Sequence, residues 1–134
     1  MLYQRLIYRS RAVAAEGRHT DLSAILHVAQ RHNRVRGITG ALTFYDDTFT
    51  QVLEGPPAEI DRLMAVLERD PRHRDIQVLG RWAVSHRLFG GWAMASAPAF
   101  EISVGTRKIL QSATGGLEMV TVMFGLASTS PLSI

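Results

Sequence analysis

The sequence predicts an α+β fold: a ferredoxin-like, five-stranded mixed sheet with two helices on one face and a C-terminal helical tail on the other. Three observations carry this. Short runs of alternating apolar residues mark strands, and two stripes at i, i+3, i+4, i+7 mark helices. They follow the order strand, helix, two strands, helix, two strands. The chain has 134 residues, 46% of them hydrophobic and 20% charged, which suits one folded domain rather than a disordered or low-complexity chain.

Leu2 to Ser10 reads as the first strand, with Leu2, Leu6, Tyr8 and Ser10 on one face and Tyr3, Arg5, Ile7 and Arg9 on the other. Thr20 or Asp21 suits a helix N-cap, and Leu22, Ile25, Leu26 and Ala29 form the first apolar stripe. Asn33 lies near the end of that helix, with Gly37 just beyond. Gly37 to Tyr45 and Phe49 to Gly55 are expected to form a hairpin around Asp46-Asp47-Thr48, whose side chains favour turns.

Pro56-Pro57 suits the start of a second helix, where a missing N–H costs least. Glu59 and Asp61 complement its positive end. Ile60, Leu63, Met64 and Leu67 form its stripe, and Pro71 ends it by holding Asp70 extended. Ile76 to His86 is the fourth strand, bulged or interrupted at Gly80. Trp92 to Ala97 is a shorter fifth. Phe100 to Ser112 reads as a third helix, and Leu117 to Ala127 fits either helix or strand. These tail segments are the expected cover for the second sheet face and a surface for self-association.

Composition narrows the function. There is no cysteine, so disulfides, thiolate metal sites and cysteine nucleophiles are excluded. The net charge of +3 permits nucleic-acid binding without indicating it. Neither a secretory signal nor a membrane span is visible, so a cytoplasmic protein is the expectation. The five histidines lack ligand spacing: His27 and His32 are not on one helix face, and His73 and His86 have no acidic partner nearby. Arg31, Arg34 and Arg36 read as a solvated patch or a phosphate contact.

Tyr8 and Gln51 are the informative pair. In a ferredoxin-like sheet the first and third strands are neighbours, which puts both polar groups between sheet and helices. An unpartnered buried carboxamide costs roughly 1–3 kcal/mol. Each group therefore bonds the other inside an ordinary core, or bonds a third molecule. Asn33 poses the same choice: it is a helix cap, or it offers a donor and an acceptor to a planar heterocycle. Trp92 and Met94 share a strand face and read as core or as part of the same site.

Taken together, these segments resemble the BLUF domain, a blue-light sensor that uses FAD. The resemblance rests on Arg5-Leu6-Ile7-Tyr8-Arg9-Ser10-Arg11-Ala12, on Asn33 with Gly37-Ile38-Thr39-Gly40, and on Phe49-Thr50-Gln51-Val52-Leu53-Glu54-Gly55. Asp70-Pro71-Arg72-His73 and the spacing of Arg87, Phe89, Trp92 and Met94 complete it. It implies a flavin-binding photosensor domain over residues 1–97 and an extension over 98–134 that covers the sheet and provides an output or oligomer surface. It also implies that Tyr8 and Gln51 are the photoactive pair. Tyr8, Ser10, Ile25, Leu26, Asn33, Gln51 and Met94 would bind the cofactor, with Trp92 and Met94 carrying the output. His32 falls at a position that varies in the family, while Arg72 and His73 would flank the pocket.

In this family, light draws an electron and a proton from the tyrosine and leaves the glutamine rotated or tautomerised. The spectrum shifts to the red, and no substrate is consumed. The pocket motif reads the ring and not the nucleotide tail, so FAD follows from the resemblance and FMN is its alternative. The expected partner is an unidentified downstream protein or a second copy of the chain, with no membrane or nucleic acid. The alternatives are a small ferredoxin-like enzyme binding a flavin or another ligand without photosensing, and a nucleic-acid-binding sheet. Only Tyr3 supports the last of these.

Overall fold

The computed structural model describes residues 2–13, 30–45, 47–71, 73–90 and 95–97. The strands are β1 (Tyr3–Ala12), β2 (Thr39–Tyr45), β3 (Thr48–Gly55), β4 (His73–Val84) and the three-residue β5 (Ala95–Ala97). Residues 30–36 are helical (α1), and Pro57–Arg69 form α2. The sheet order is β4-β1-β3-β2-β5. The first four of these strands pair antiparallel, and β5 runs parallel to β2. The architecture is α+β, and β1 and β3 lie side by side at its centre, as the pattern of strands and helices predicts.

Alternation sorts the central strands into two faces. Leu6, Tyr8 and Ser10 of β1 stand opposite Leu53, Gln51 and Phe49 of β3. Leu6, Tyr8, Leu42, Phe49 and Leu53 form one apolar cluster with Ile38 and with Ile60 and Met64 of α2. Leu63 and Leu67 pack at its margin, so the whole predicted stripe of α2 meets the core. On the second face Ile7, Ala41 and Val52 are fully buried, and its centre is withdrawn from water as well.

α2 begins where its prolines allow. Pro57 occupies the first turn, and Pro56 caps through its backbone carbonyl, which accepts from Glu59 and Ile60. Asp70 closes the helix in an extended conformation ahead of Pro71. Asp61 does more than complement the helix dipole: it pairs with Arg81 of β4 at 2.7 Å, and Arg81 also donates to Gln4 at 2.6 Å.

The strand ends differ from the sequence reading. β1 begins one residue later than Leu2 and runs on to Ala12, whose N–H is held by the Asp47 carbonyl of the β2–β3 turn. β4 starts at His73 instead of Ile76 and stops at Val84, two residues short of His86. Asp75 adopts a positive φ of 55° where the β1–β4 register shifts, so a bulge lets pairing begin earlier. A second shift falls between Ile7 and Tyr8, opposite Gly80 and Val78, at the expected bulge. Within the expected fifth strand, Trp92 to Met94 lie outside the described residues. So do the first helix stripe with its Thr20 or Asp21 cap, and the tail segments Phe100 to Ser112 and Leu117 to Ala127.

Candidate functional site

The antiparallel register sets Tyr8 directly across from Gln51. Both side chains point toward the α2 side, and Tyr8 is 2% and Gln51 6% exposed. The Tyr8 hydroxyl donates to Gln51 Oε1. This uses the phenol proton and one carboxamide acceptor. Gln51 retains an amide group with two N–H donors, which a carboxamide on an apolar face must also satisfy.

Tyr8 holds its proton firmly. Burial pushes the phenol well above its ordinary value of 10.0, and the Asp70 carboxylate adds to the shift by disfavouring a second negative charge nearby. Asp70 is therefore part of the electrostatic setting of the site. In the sequence Asp70 reads as the residue that ends α2 and as the start of the segment Asp70-Pro71-Arg72-His73 in the family resemblance. Its backbone is extended where the helix ends.

Asn33 is not the helix cap. Gly37 adopts φ 70° and takes that role, while the Ile38 N–H bonds the Asn33 backbone carbonyl at 2.9 Å. With the cap supplied by glycine, the Asn33 side chain is 2% exposed. Gln30, one turn earlier on the same helix face, is also buried and was not anticipated. A signal for it existed, because Gln30 and Asn33 continue the stripe of Leu26 at i+4 and i+7. The residues between them, Arg31 and His32, are exposed, as is Arg34, while Arg36 is half-buried.

Ser10 is buried on the same strand face as Tyr8, opposite Phe49. Of the other expected site residues, Ile25, Leu26, Arg72, Trp92 and Met94 lie outside the described residues. Gln51 and Asn33 are thus two buried carboxamides, each combining an acceptor oxygen with an amide donor group. Among the described residues no helix is long and apolar enough to cross a membrane. No group of three or more His, Cys, Asp or Glu residues there is arranged to hold a metal ion.

Comparison with known proteins places this geometry in a group. The sequence profile of the family BLUF, described as sensors of blue-light using FAD, matches residues 3–95. The beta subunit of the photoactivated adenylate cyclase of Euglena gracilis is 36% identical over 93 residues, covering 69% of this chain and 11% of that protein. The alpha subunit is 34% identical over 92 residues, covering 68% of this chain and 9% of that protein. This chain thus spans only a small part of the curated relatives it matches.

Solved structures agree. The BLUF domain of BlrP1 is 35% identical with a TM-score of 0.71, covering 96% of this chain and 88% of that one. Klebsiella pneumoniae BlrP1 with FMN and cyclic diGMP is 31% identical with a TM-score of 0.71, covering 96% of this chain and 35% of that one. The photo-activated state of BlsA has a TM-score of 0.77 at 24% identity, covering 98% and 99% of the two chains, and speaks to the fold alone.

Proposed function

This chain belongs to the BLUF family of blue-light sensors that use FAD, and from that premise we propose that Tyr8 and Gln51 are its light-responsive switch. The observation that carries the reading is the buried hydrogen bond from the Tyr8 phenol to Gln51 Oε1. Tyr8, Ser10, Asn33 and Gln51, with Ile25, Leu26 and Met94, would hold the flavin. When bound, the flavin absorbs blue light and accepts an electron.

The chain's own residues then govern a proton. In the dark, burial and Asp70 keep Tyr8 a neutral phenol. A phenol from which an electron is withdrawn becomes a strong acid, and its proton has a route along the existing bond to Gln51 Oε1. When the electron returns to the tyrosine, a proton returns with it from Gln51 and restores the phenol. Return of the same proton leaves a carboxamide free to rotate, whereas Oε1 keeping its proton while the amide nitrogen gives one up leaves the tautomer. A rotated or tautomerised Gln51 exchanges donor for acceptor at one edge, and the new pattern persists until it relaxes. Nothing is consumed, so the protein acts as a sensor and not as an enzyme.

The same reading extends to organisation. Residues 1–97 form the photosensor domain, with a five-stranded sheet and both helices on the face that carries Tyr8 and Gln51. Residues 98–134, which lie outside the described residues, would cover the second face and offer the surface for output or oligomer formation. Trp92 and Met94 pass the change onward to an effector protein or to a second copy, in a cytoplasmic setting. The Euglena gracilis relatives are named as photoactivated adenylate cyclase subunits, and this chain matches only a small part of each, which supports an effector downstream.

The test is the absorption of the purified, flavin-loaded protein in darkness and after blue light. A flavin band that moves reversibly to the red is expected. A protein that takes up no flavin, or whose flavin only bleaches, would overturn the reading.

A further inference from the structure

We infer that Glu54 is a latch: a positioning residue that ties the segment 86–89 to the strand bearing Gln51, so that rearrangement at Gln51 is felt there. The inference rests on the reading of Tyr8 and Gln51 as the switch. Glu54 lies three residues after Gln51 on β3 and faces the opposite side of the sheet. It is 0% exposed, yet it is a carboxylate.

Every bond to this carboxylate comes from β1 or from the segment after β4. Glu54 Oε2 accepts from Arg5 Nε at 2.7 Å and from the Leu88 N–H at 2.9 Å, and Oε1 accepts from the Phe89 N–H at 2.7 Å. Two consecutive backbone N–H groups turned onto one anion form a nest. The neighbours add to it. Arg87 Nη1 donates to the Glu54 backbone carbonyl at 3.3 Å and to Thr39 Oγ1 at 3.0 Å, and its guanidinium lies 4.4 Å over the Tyr3 ring. Arg5 Nη2 donates to the His86 carbonyl at 3.3 Å.

Packing alone does not hold this segment. Phe89 is buried, but Leu88 is 44% exposed and His86 is also exposed. A buried ion pair is weak evidence for stability, since desolvation offsets much of its attraction, while each charge-assisted bond fixes direction and distance. The arrangement therefore specifies position. It holds the segment in one place relative to the Arg5–Glu54 rung of β1 and β3, and the chain runs on from there to β5. A small shift of β3 at Gln51 moves the anion that holds the Leu88 and Phe89 amides. Sequence gave no hint of this, because Glu54 is 49 residues from Arg5 and 35 from Phe89.

The experiment is hydrogen exchange of the flavin-loaded full chain in darkness and under blue light, read together with the red shift. In the wild type, illumination should change exchange at the Leu88 and Phe89 amides. Glu54→Gln should keep the red shift, raise dark exchange at both amides by about tenfold, and abolish the light-dependent difference. Arg87→Met, which leaves the carboxylate in place, should raise exchange less and reduce the difference. That variant serves if Glu54→Gln fails to fold. A normal red shift with no light-dependent change at these amides overturns the latch and leaves the switch standing. So does a light-dependent difference that survives undiminished in Glu54→Gln, or in Arg87→Met where Glu54→Gln fails to fold. Absence of the red shift in the wild type overturns both.

Discussion

Tyr8 and Gln51 face each other across the β1–β3 ladder, and the phenol donates to the carboxamide oxygen inside the apolar cluster that α2 closes. A proton donor and its acceptor are thereby held by two central strands and not by a loop. Pre-organisation of this kind favours a fast and reversible proton transfer, because little has to move.

Tyr8→Phe removes the donor and retains the ring that packs against Leu6 and Leu53. Flavin uptake is expected to persist and the red shift to vanish, read by absorption difference spectra before and after illumination. A normal shift in this variant would remove Tyr8 from the mechanism.

Gln51→Leu keeps the volume and deletes both the acceptor and the amide donors. It should leave the Tyr8 hydroxyl buried without this partner, at a cost of about 1–3 kcal/mol in stability, and abolish the red shift. Denaturant midpoints and the same difference spectra check the two effects separately.

The raised affinity of Tyr8 for its proton has a stability consequence of known sign. The folded phenol titrates above its unfolded value of 10.0. Its contribution to stability is therefore complete below about pH 10 and is lost as pH rises toward the higher folded value. Unfolding free energy should fall more steeply with alkaline pH in the wild type than in Tyr8→Phe. Asp70→Asn should lower the Tyr8 titration, because the carboxylate is one of its two causes. A phenolate signal followed by ultraviolet absorbance measures this.

Asn33→Ala should weaken flavin binding by about tenfold, the effect of one or two lost hydrogen bonds. The helix itself should remain, because Gly37 and the Ile38 N–H, and not the Asn33 side chain, close it. Flavin titration followed by fluorescence quenching, with circular dichroism as the control, distinguishes a lost contact from a lost helix.

Two glycines should respond differently to alanine. At Gly37 the cost is that of a left-handed residue, about 1–2 kcal/mol. At Gly40 a Cβ would overlap the Val52 carbonyl oxygen within the β2–β3 ladder, so the strands must separate and the loss should be larger. Chemical denaturation of the two variants gives the order.

Much of this arrangement was legible beforehand, for identifiable reasons. α2 was bounded by its prolines, whose constraints are local. The faces of β1 and β3 followed from alternation, and the Tyr8–Gln51 contact followed once those strands were taken as neighbours. The start of β4 was missed because it depends on a bulge at Asp75, an unusual conformation that an aspartate does not announce. Asn33 leaves two readings open in the sequence, a helix cap or a donor and an acceptor for a planar heterocycle, and the left-handed Gly37 removes the first because it closes the helix itself.

Sequence alone determined the order of the described strands and helices, the apolar faces of β1, β3 and α2, and the inward placing of Tyr8 and Gln51, because periodicity and proline chemistry act over a few neighbouring positions. Only the tertiary structure decided that the Glu54 carboxylate gathers Arg5, Leu88 and Phe89, and that Asp70 acts on the Tyr8 phenol. Those relationships join groups far apart in the chain. Their strength depends on distance and on the exclusion of water, and neither exists until the sheet has closed.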